Sequence, residues 1–232
     1  NQVDTSHLDE LADQHGFAVA FPAGAFTNTI TARSWNANKE PGVDDVQFVR
    51  DMIEDIAGKV SIDRARIYTS GMSGGGRISS LLACELSDVL AAAAPVAGLQ
   101  FPADCTLKRP IPLVTFHGLA DAVNEYQISA GSRPYWRMGV ETALDMWRQA
   151  NGCALANSDD RISQHVTFYR WSECTGAAEL HFYQNDKGGH TWTGSDSGSI
   201  LSALGRPHQD LNASKLTWQL SHRPSITDLI LA

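Results

Sequence analysis

The sequence contains no uninterrupted apolar run of the roughly 18 to 20 residues that a membrane-spanning helix needs. Its longest stretch of small and apolar residues, Leu90 to Val96, has the length of a buried strand. We therefore expect no membrane partner. The first residues, Asn1 to Asp4, form no basic and apolar leader, so if the protein is secreted this sequence is a mature or trimmed form.

Positive charge is also scarce. The 18 Lys and Arg residues against 26 Asp and Glu give a net charge of −8, which argues against a nucleic-acid partner because phosphate binding needs a basic surface. With 43% hydrophobic and 19% charged residues, the chain has the composition of a folded globular protein. Its 232 residues suit one catalytic domain, 1–232, and we expect a monomer.

Cysteine is rare and shows no metal-binding spacing. The four cysteines form no CxxC pair and no Cys/His cluster, so we expect no metal. Their even number suits two disulfides, which would place the protein outside the cytoplasm, while four reduced, buried thiols are the alternative. The four are Cys84, Cys105, Cys153 and Cys174.

Short apolar strands alternate with amphipathic helices, which predicts an α/β fold with a mostly parallel sheet covered on both faces. Active sites of such sheets lie beyond the carboxyl ends of the strands. The long irregular segments 23–41 and 193–205 are expected to be binding loops. Strands are predicted at 17–21, 66–69, 92–96, 111–116, 165–171 and 179–183, and a helix at 78–86. Further helices are predicted from Leu8 to an end at Gly16, from the caps Asp44 and Asp45 to an end at Gly58, through Val140, Leu144 and Trp147 to an end at Asn151-Gly152, and from about Asp210.

The segment Gly71-Met72-Ser73-Gly74-Gly75 matches the G-x-S-x-G pattern and stands directly between a predicted strand and a predicted helix. In that context the small residues allow a sharp turn that presents the serine hydroxyl as a nucleophile. The backbone N–H of Gly74 would then point toward a developing oxyanion. The alternative interpretation is a glycine-rich turn with an incidental serine.

A serine nucleophile needs a histidine base and a carboxylate that orients it, in the chain order Ser, Asp or Glu, His. His190 is the best candidate base because it follows a strand into a glycine-bracketed loop. His117 ends a strand but precedes the candidate acid, so we interpret it as a structural histidine that braces the acid loop.

The candidate acid is Asp121, which lies in the turn after the strand that ends near His117. This is where the chain order requires the acid. A merely solvated turn aspartate is the alternative. Glu125 follows late in the turn, Asp145 falls within a predicted helix, and Asp186 is too near the histidine in sequence.

Three further side chains are candidates for the substrate pocket. Trp192 lies two residues past the base, Trp35 lies in the long loop before the second predicted helix, and Met72 directly precedes the nucleophile. The alternative for both tryptophans is that they are packing aromatics.

These motifs together resemble the polyhydroxybutyrate depolymerase-like and feruloyl esterase family of secreted α/β-hydrolases, which also includes acetyl xylan and cinnamoyl esterases. The resemblance implies secretion, ester hydrolysis by the same triad, and the disulfide pairs Cys84 with Cys105 and Cys153 with Cys174. It covers nearly the whole chain: Leu11-Ala12-Asp13 to Pro22, Val43-Asp44-Asp45-Val46 to Asp63, Gly71 to Gly75, Ala94-Pro95-Val96-Ala97-Gly98, His117-Gly118 with Asp121 and Tyr126, Trp147 to Cys153, and Gly189-His190-Thr191-Trp192.

One departure from the family pattern concerns the oxyanion hole. Family members carry further N-terminal strands and a His-Gly loop that donates a second N–H, and this sequence has no counterpart of them. We expect either missing upstream residues or a replacement donor from the loop Ala23 to Asn28. Loss of one such donor typically costs about 2.7–4 kcal/mol of transition-state stabilisation.

The sequence thus predicts a serine carboxylesterase that needs no cofactor. The resemblance favours feruloyl or acetyl esters on plant cell-wall polysaccharide as substrates. Short aliphatic or aryl esters and polyhydroxyalkanoates are the alternative. A different class of function, a non-catalytic carbohydrate-binding relative, would be consistent with the missing oxyanion segment, but three triad candidates in the right order argue against it.

Overall fold

The computed structural model of the protein describes residues 2–29, 32–155, 158–195, 210–219 and 229–232. Within these ranges none of the helices combines the length and the apolar character needed to cross a membrane. The helices are α1 (Gln2–Ser6), α2 (Leu8–His15), α3 (Asp45–Ala57), α4 (Gly74–Glu85), α5 (Val140–Ala150) and α6 (Ala213–Gln219). The strands are β1 (Ala18–Ala20), β2 (Phe26–Thr29), β3 (Ala32–Ser34), β4 (Ile67–Met72), β5 (Ala92–Val96), β6 (Leu113–Gly118), β7 (Ser158–Arg161), β8 (Val166–Trp171), β9 (Leu180–Asn185) and β10 (Leu229–Leu231).

Eight of the described strands form one sheet in the order β1-β10-β4-β5-β6-β9-β8-β7. The pairs from β1 across to β9 are parallel, whereas β8 runs antiparallel to both β9 and β7. The mostly parallel sheet predicted from the sequence is therefore confirmed, with an antiparallel hairpin added at one edge. The carboxyl ends of β4, β6 and β9 meet at the same edge of the sheet.

Local signals set the helix boundaries. Asp44 caps α3, because its side chain accepts a hydrogen bond from the Gln47 N–H at 2.9 Å. Gly16 ends α2 in the left-handed conformation, with φ of 71°. Helix α4 begins at Gly74, four residues before the predicted start at Ile78. The glycines after the serine are helical despite their low propensity, because packing against the sheet outweighs that cost.

The sequence did not predict strand β10, which lies between β1 and the nucleophile strand β4. Leu229 and Leu231 pair with Ile67 and Thr69 of β4, and all three residues of β10 are buried. A run of three apolar residues is too short to indicate a strand, and its partners are far away in sequence. Because of β10, strand β4 has a neighbour on both sides.

The two long predicted loops differ in outcome. The segment 23–41 contains the antiparallel pair β2 and β3, so the stretch Ala23 to Asn28 enters a strand. Most of 193–205 lies outside the described residues, as does Leu220 of the predicted last helix. Strand β7 was not predicted, because its sequence is polar and it lies at the sheet edge.

The main hydrophobic core lies between the sheet and helices α3, α4 and α5. Trp147 of α5 has no exposed surface, and its indole N–H donates to the Gln100 carbonyl oxygen at 2.8 Å. Ile53 of α3 and Leu81 of α4 are 2% exposed. This packing fixes the helices against the sheet and so holds the strand ends that carry the site.

Disulfides connect Cys84 with Cys105 and Cys153 with Cys174, the pairs that the resemblance implied. In each pair the two cysteines are 21 residues apart in the sequence. The chain has no free cysteine. Each bond therefore closes a loop of moderate length in the unfolded chain.

Replacing Cys153 and Cys174 together by alanine should lower the free energy of unfolding by about 3 kcal/mol, because the unfolded chain regains the entropy that the closed loop removes. Chemical denaturation of variant and wild type in non-reducing buffer measures the difference. Wild type in reducing buffer is the control and should lose more stability, since both bonds break. A loss below about 1 kcal/mol would contradict the prediction.

Candidate active site

Ser73 lies at a sharp turn between β4 and α4. Its φ of +56° and ψ of −112° lie outside the regions that non-glycine residues prefer. The Ser73 N–H donates to the Val96 carbonyl oxygen at the end of β5, and the Ser73 carbonyl accepts from the Arg77 N–H, both at 2.9 Å. This strained turn places the half-buried serine side chain at the carboxyl edge of the sheet, as a nucleophile elbow requires.

Glycines allow the backbone to approach this turn closely. A Cβ atom on Gly71 would lie 2.7 Å from the carbonyl carbon of Gly75, and one on Gly98 would lie 2.5 Å from the Ser73 carbonyl oxygen. Both neighbours are backbone atoms that cannot rotate away. The nucleophile turn is therefore packed tightly against the segment that follows β5.

The substitution Gly98→Ala should displace Ser73 and the first turn of α4, because the new methyl group overlaps the Ser73 carbonyl oxygen. We expect a loss of about 1–3 kcal/mol in unfolding free energy and a lower kcat in an ester hydrolysis assay. Gly131→Ala is the matched control, since a Cβ there would meet only the Ser129 hydroxyl at 3.8 Å. Equal behaviour of the two variants would contradict the prediction.

Gly74 is the first residue of α4. The first N–H groups of a helix have no intrahelical acceptor, and the helix dipole makes this end partially positive. The Gly74 N–H is therefore suited to stabilise negative charge that develops on a substrate oxygen next to Ser73.

Asp121 and His190 form a buried hydrogen-bonded pair. The His190 Nδ1 and Asp121 Oδ2 atoms are 2.8 Å apart, and each residue is 4% exposed. The other carboxylate oxygen, Oδ1, accepts from the backbone N–H groups of Val123 and Asn124, both at 2.8 Å. These bonds fix the carboxylate, which in turn fixes the orientation of the imidazole.

The pKa of Asp121 lies below its ordinary value. Burial by itself would raise this pKa, but the hydrogen bond with His190 and the nearby imidazole of His117 outweigh burial and favour the carboxylate. A lowered folded-state pKa means that the ionised group stabilises the fold above the ordinary pKa of aspartate. That stability is lost as the pH falls through the lower, folded-state value.

His117 occupies the bracing position predicted for it. Its Nε2 atom is 2.8 Å from the Asn124 carbonyl oxygen and 3.4 Å from Asp121 Oδ2, and its ring stacks on Trp136 at 5.9 Å. Burial lowers the pKa of His117. Asn124 also donates from Nδ2 to the Ala97 carbonyl oxygen at 2.6 Å, which ties the acid loop to the segment after β5.

The acid loop and the base loop are bonded directly to each other. The Ala120 N–H donates to the Gly188 carbonyl oxygen at 3.0 Å, and Leu119 N–H donates to the Asn185 carbonyl oxygen at 2.8 Å. The Asn185 side chain also accepts from the Gly188 N–H at 2.8 Å. Asn124 and Asn185 were not predicted as site residues, although asparagine is favoured in turns because its side chain bonds nearby backbone groups.

The competing carboxylates have partners elsewhere. Asp186 pairs with Arg161 at 2.6 Å, and Asp145 pairs with Arg148 at 2.8 Å. Glu125 accepts hydrogen bonds from two serines of the following loop. These three carboxylates therefore have other partners, and Asp121 is the one that bonds His190.

Of the three pocket candidates, Trp192 lies differently from expectation. Trp192 has no exposed surface and its Nε1 donates to the Ser214 hydroxyl at 2.9 Å, so it is a packing residue and not a wall of an open pocket. Its position two residues past the base does not determine which way the side chain points. Trp35 and Met72 are half-buried and pack against the core, Trp35 with its ring 6.4 Å from Phe48.

Ser73 makes no hydrogen bond to His190, although both residues lie in the described part of the chain. In proteins without substrate, catalytic hydrogen bonds are often long and tighten only in the complex. Among the described residues no group of three or more His, Cys, Asp or Glu side chains could hold a metal ion.

The sheet order and the strained Ser73 turn define the chain as an α/β-hydrolase. A family model described as Esterase PHB depolymerase matches residues 2–182. The chain belongs to that family, as the motifs in the sequence indicated.

Curated relatives extend this finding. The chain is 32% identical to feruloyl esterase B of Piromyces equi over 196 residues, which cover 80% of this chain and 36% of the relative. It is 28% identical to the bifunctional acetylxylan esterase/xylanase XynS20E of Neocallimastix patriciarum over 200 residues, 84% of this chain and 27% of the relative. Poly(3-hydroxyalkanoate) depolymerase C of Paucimonas lemoignei is 30% identical over 105 residues, 41% of this chain and 24% of the relative. Each match thus spans about a third or less of the relative's own length.

Proposed function

We propose that the protein is a serine carboxylesterase with Ser73 as nucleophile, His190 as general base and Asp121 as the residue that orients the base. The observation that carries this proposal is the buried His190–Asp121 pair, 2.8 Å apart, at the sheet edge that also presents the strained Ser73 turn. Membership of an esterase family supports it.

The reaction is acyl transfer in two steps. The Ser73 Oγ atom attacks the ester carbonyl carbon while His190 Nε2 takes the hydroxyl proton, because Nδ1 is engaged with Asp121. The Gly74 N–H stabilises the oxyanion of the tetrahedral intermediate. His190 then gives its proton to the departing alcohol. A water molecule, activated by His190 in the same way, releases the acid from Ser73.

Feruloyl or acetyl esters on plant cell-wall polysaccharide are the proposed substrates. The names of two relatives, a feruloyl esterase and an acetylxylan esterase, support this class. Hydroxyalkanoate oligomers are the second candidate, supported by the shorter match to a depolymerase. The two disulfides favour an extracellular location, because such bonds persist in oxidising compartments.

Parallel assays on p-nitrophenyl acetate, methyl ferulate, acetylated xylan and a hydroxybutyrate trimer test the proposal. We expect turnover of p-nitrophenyl acetate and of methyl ferulate or acetylated xylan, with slower cleavage of the trimer. Faster cleavage of the trimer than of ferulate and acetyl esters would favour the depolymerase. If the folded protein hydrolyses none of them, the esterase proposal is wrong.

A further inference from the structure

Arg77 lies one helical turn after the nucleophile, on the first turn of α4. Its backbone N–H bonds the Ser73 carbonyl oxygen at 2.9 Å. Its Nη2 atom is 3.5 Å from the point that a Cβ on Gly74 would occupy. The guanidinium group therefore lies against the residue that is assigned to the oxyanion hole.

Within the described part of the chain this half-buried cation has no charged partner. The centre of its guanidinium group is 4.0 Å from the ring centroid of Tyr135, and its Nε atom is buried without a hydrogen-bond partner. No carboxylate among the described residues forms an ion pair with it. Burial consequently lowers the pKa of Arg77. An unpaired charge that is largely removed from water costs stability, so the residue is a candidate for a role in binding.

Three cationic side chains line the cleft beside Arg77. They are Lys39, Arg137 and Arg77 itself, and none of the described residues that line the cleft is acidic. Lys39 bonds Glu85 at 2.7 Å outside the cleft, and Arg137 lies 3.9 Å from Glu40. Arg77 is thus the cleft cation that these contacts leave unpaired. The cavity volume of about 50 Å³ suits a small group such as a carboxylate.

We propose that Arg77 binds a carboxylate group carried by the ester substrate. This proposal rests on the proposed esterase function and specifies its substrate class. The planar guanidinium matches a carboxylate with two parallel hydrogen bonds. Because Arg77 adjoins Gly74 and the Ser73 turn, the carboxylate would lie close to the ester bond, on either the acyl or the alcohol part.

Two pairs of esters test the proposal, each with a carboxylate substrate and its neutral carboxamide. The acyl pair is mono-p-nitrophenyl adipate and p-nitrophenyl adipamate, and the alcohol pair is 4-acetoxybenzoate and 4-acetoxybenzamide. The measured quantity is the carboxylate-to-carboxamide ratio of kcat/KM. In Arg77→Met this ratio should fall about 10- to 100-fold for at least one pair, the effect of losing hydrogen bonds to a charged group.

The ratio is independent of the folded fraction, since both esters of a pair are assayed on the same preparation. Arg77→Lys keeps the charge but not the planar fork and should recover part of the ratio. Arg64→Met removes the same charge at the opposite end of β4, where Arg64 is exposed and pairs with Glu54, and should leave the ratio unchanged.

An unchanged ratio for both pairs in Arg77→Met would overturn the proposal, even if the variant hydrolysed all four esters more slowly. Such a uniform loss would mean that Arg77 supports the hydrolysis of all esters and does not recognise a carboxylate. Failure of wild type to hydrolyse either neutral carboxamide ester would instead contradict the esterase proposal itself, so the two failures are distinguishable.

Discussion

Replacing Ser73 by alanine is expected to lower kcat for p-nitrophenyl acetate by a factor of about 10⁴ to 10⁶. The methyl group cannot attack the ester carbonyl, so no acyl-enzyme forms. Only substrate binding and the Gly74 N–H remain to stabilise the transition state. Turnover by purified wild type and variant, each corrected for spontaneous hydrolysis, measures the loss.

Ser79→Ala is the matched control for this experiment. Ser79 lies on α4, the helix that follows the Ser73 turn. It is fully buried, and its hydroxyl donates to the Gly75 carbonyl oxygen at 2.8 Å. Its loss perturbs the helix that follows the nucleophile turn but removes no reacting atom. We expect Ser79→Ala to retain activity within about tenfold of wild type, allowing for two lost hydrogen bonds, the one donated to Gly75 and the one accepted from the Thr69 hydroxyl. A Ser73→Ala protein as active as this control would assign the nucleophile elsewhere.

The second large effect is expected for Asp121→Asn, which should lower kcat about 10⁴-fold. The asparagine side-chain oxygen can still accept from the Val123 and Asn124 N–H groups, so the turn keeps its shape. Its amide group, however, would face His190 Nδ1 with a donor and favour the wrong imidazole tautomer. The imidazolium would also lose the carboxylate that stabilises it during the reaction.

Asp186→Asn serves as the control for that variant. Asp186 lies four residues before His190 in the sequence and pairs with Arg161, away from the imidazole. We expect a change of no more than a few fold for this surface pair, whose energetic contribution is about 1 kcal/mol or less. If both variants lost activity equally, general electrostatics near the base loop and not the orientation of His190 would account for the effect.

Much of the candidate site could be predicted from the sequence because its residues lie within a few positions of the ends of strands. The apolar runs that end near Ser73, Asp121 and His190 indicate buried strands, and parallel strands bring their carboxyl ends to one edge. The contact between Asp121 and His190, 69 residues apart, follows from that topology. The functional assignment of the triad remains a proposal that the variants above test.

Other features depend on long-range packing that no local pattern indicates. Strand β10 consists of three residues that pair with β1 and β4. Its first residue, Leu229, lies opposite Ala18, which is near the other end of the sequence. Trp192 is only two residues from the base in the sequence, yet its indole ring packs in a hydrophobic cluster. No local pattern indicates that Arg77 lacks a paired carboxylate among the described residues, because this depends on side chains that are distant in sequence.

Covalent labelling with a fluorophosphonate tests the central claim most directly, because the reagent modifies a serine only where a base activates it. The esterase mechanism predicts one phosphonyl group per chain, located on the peptide that contains Ser73, with activity lost in proportion to labelling and no label on Ser73→Ala. Folded wild-type protein that stays unlabelled, or that is labelled at another residue, would contradict it.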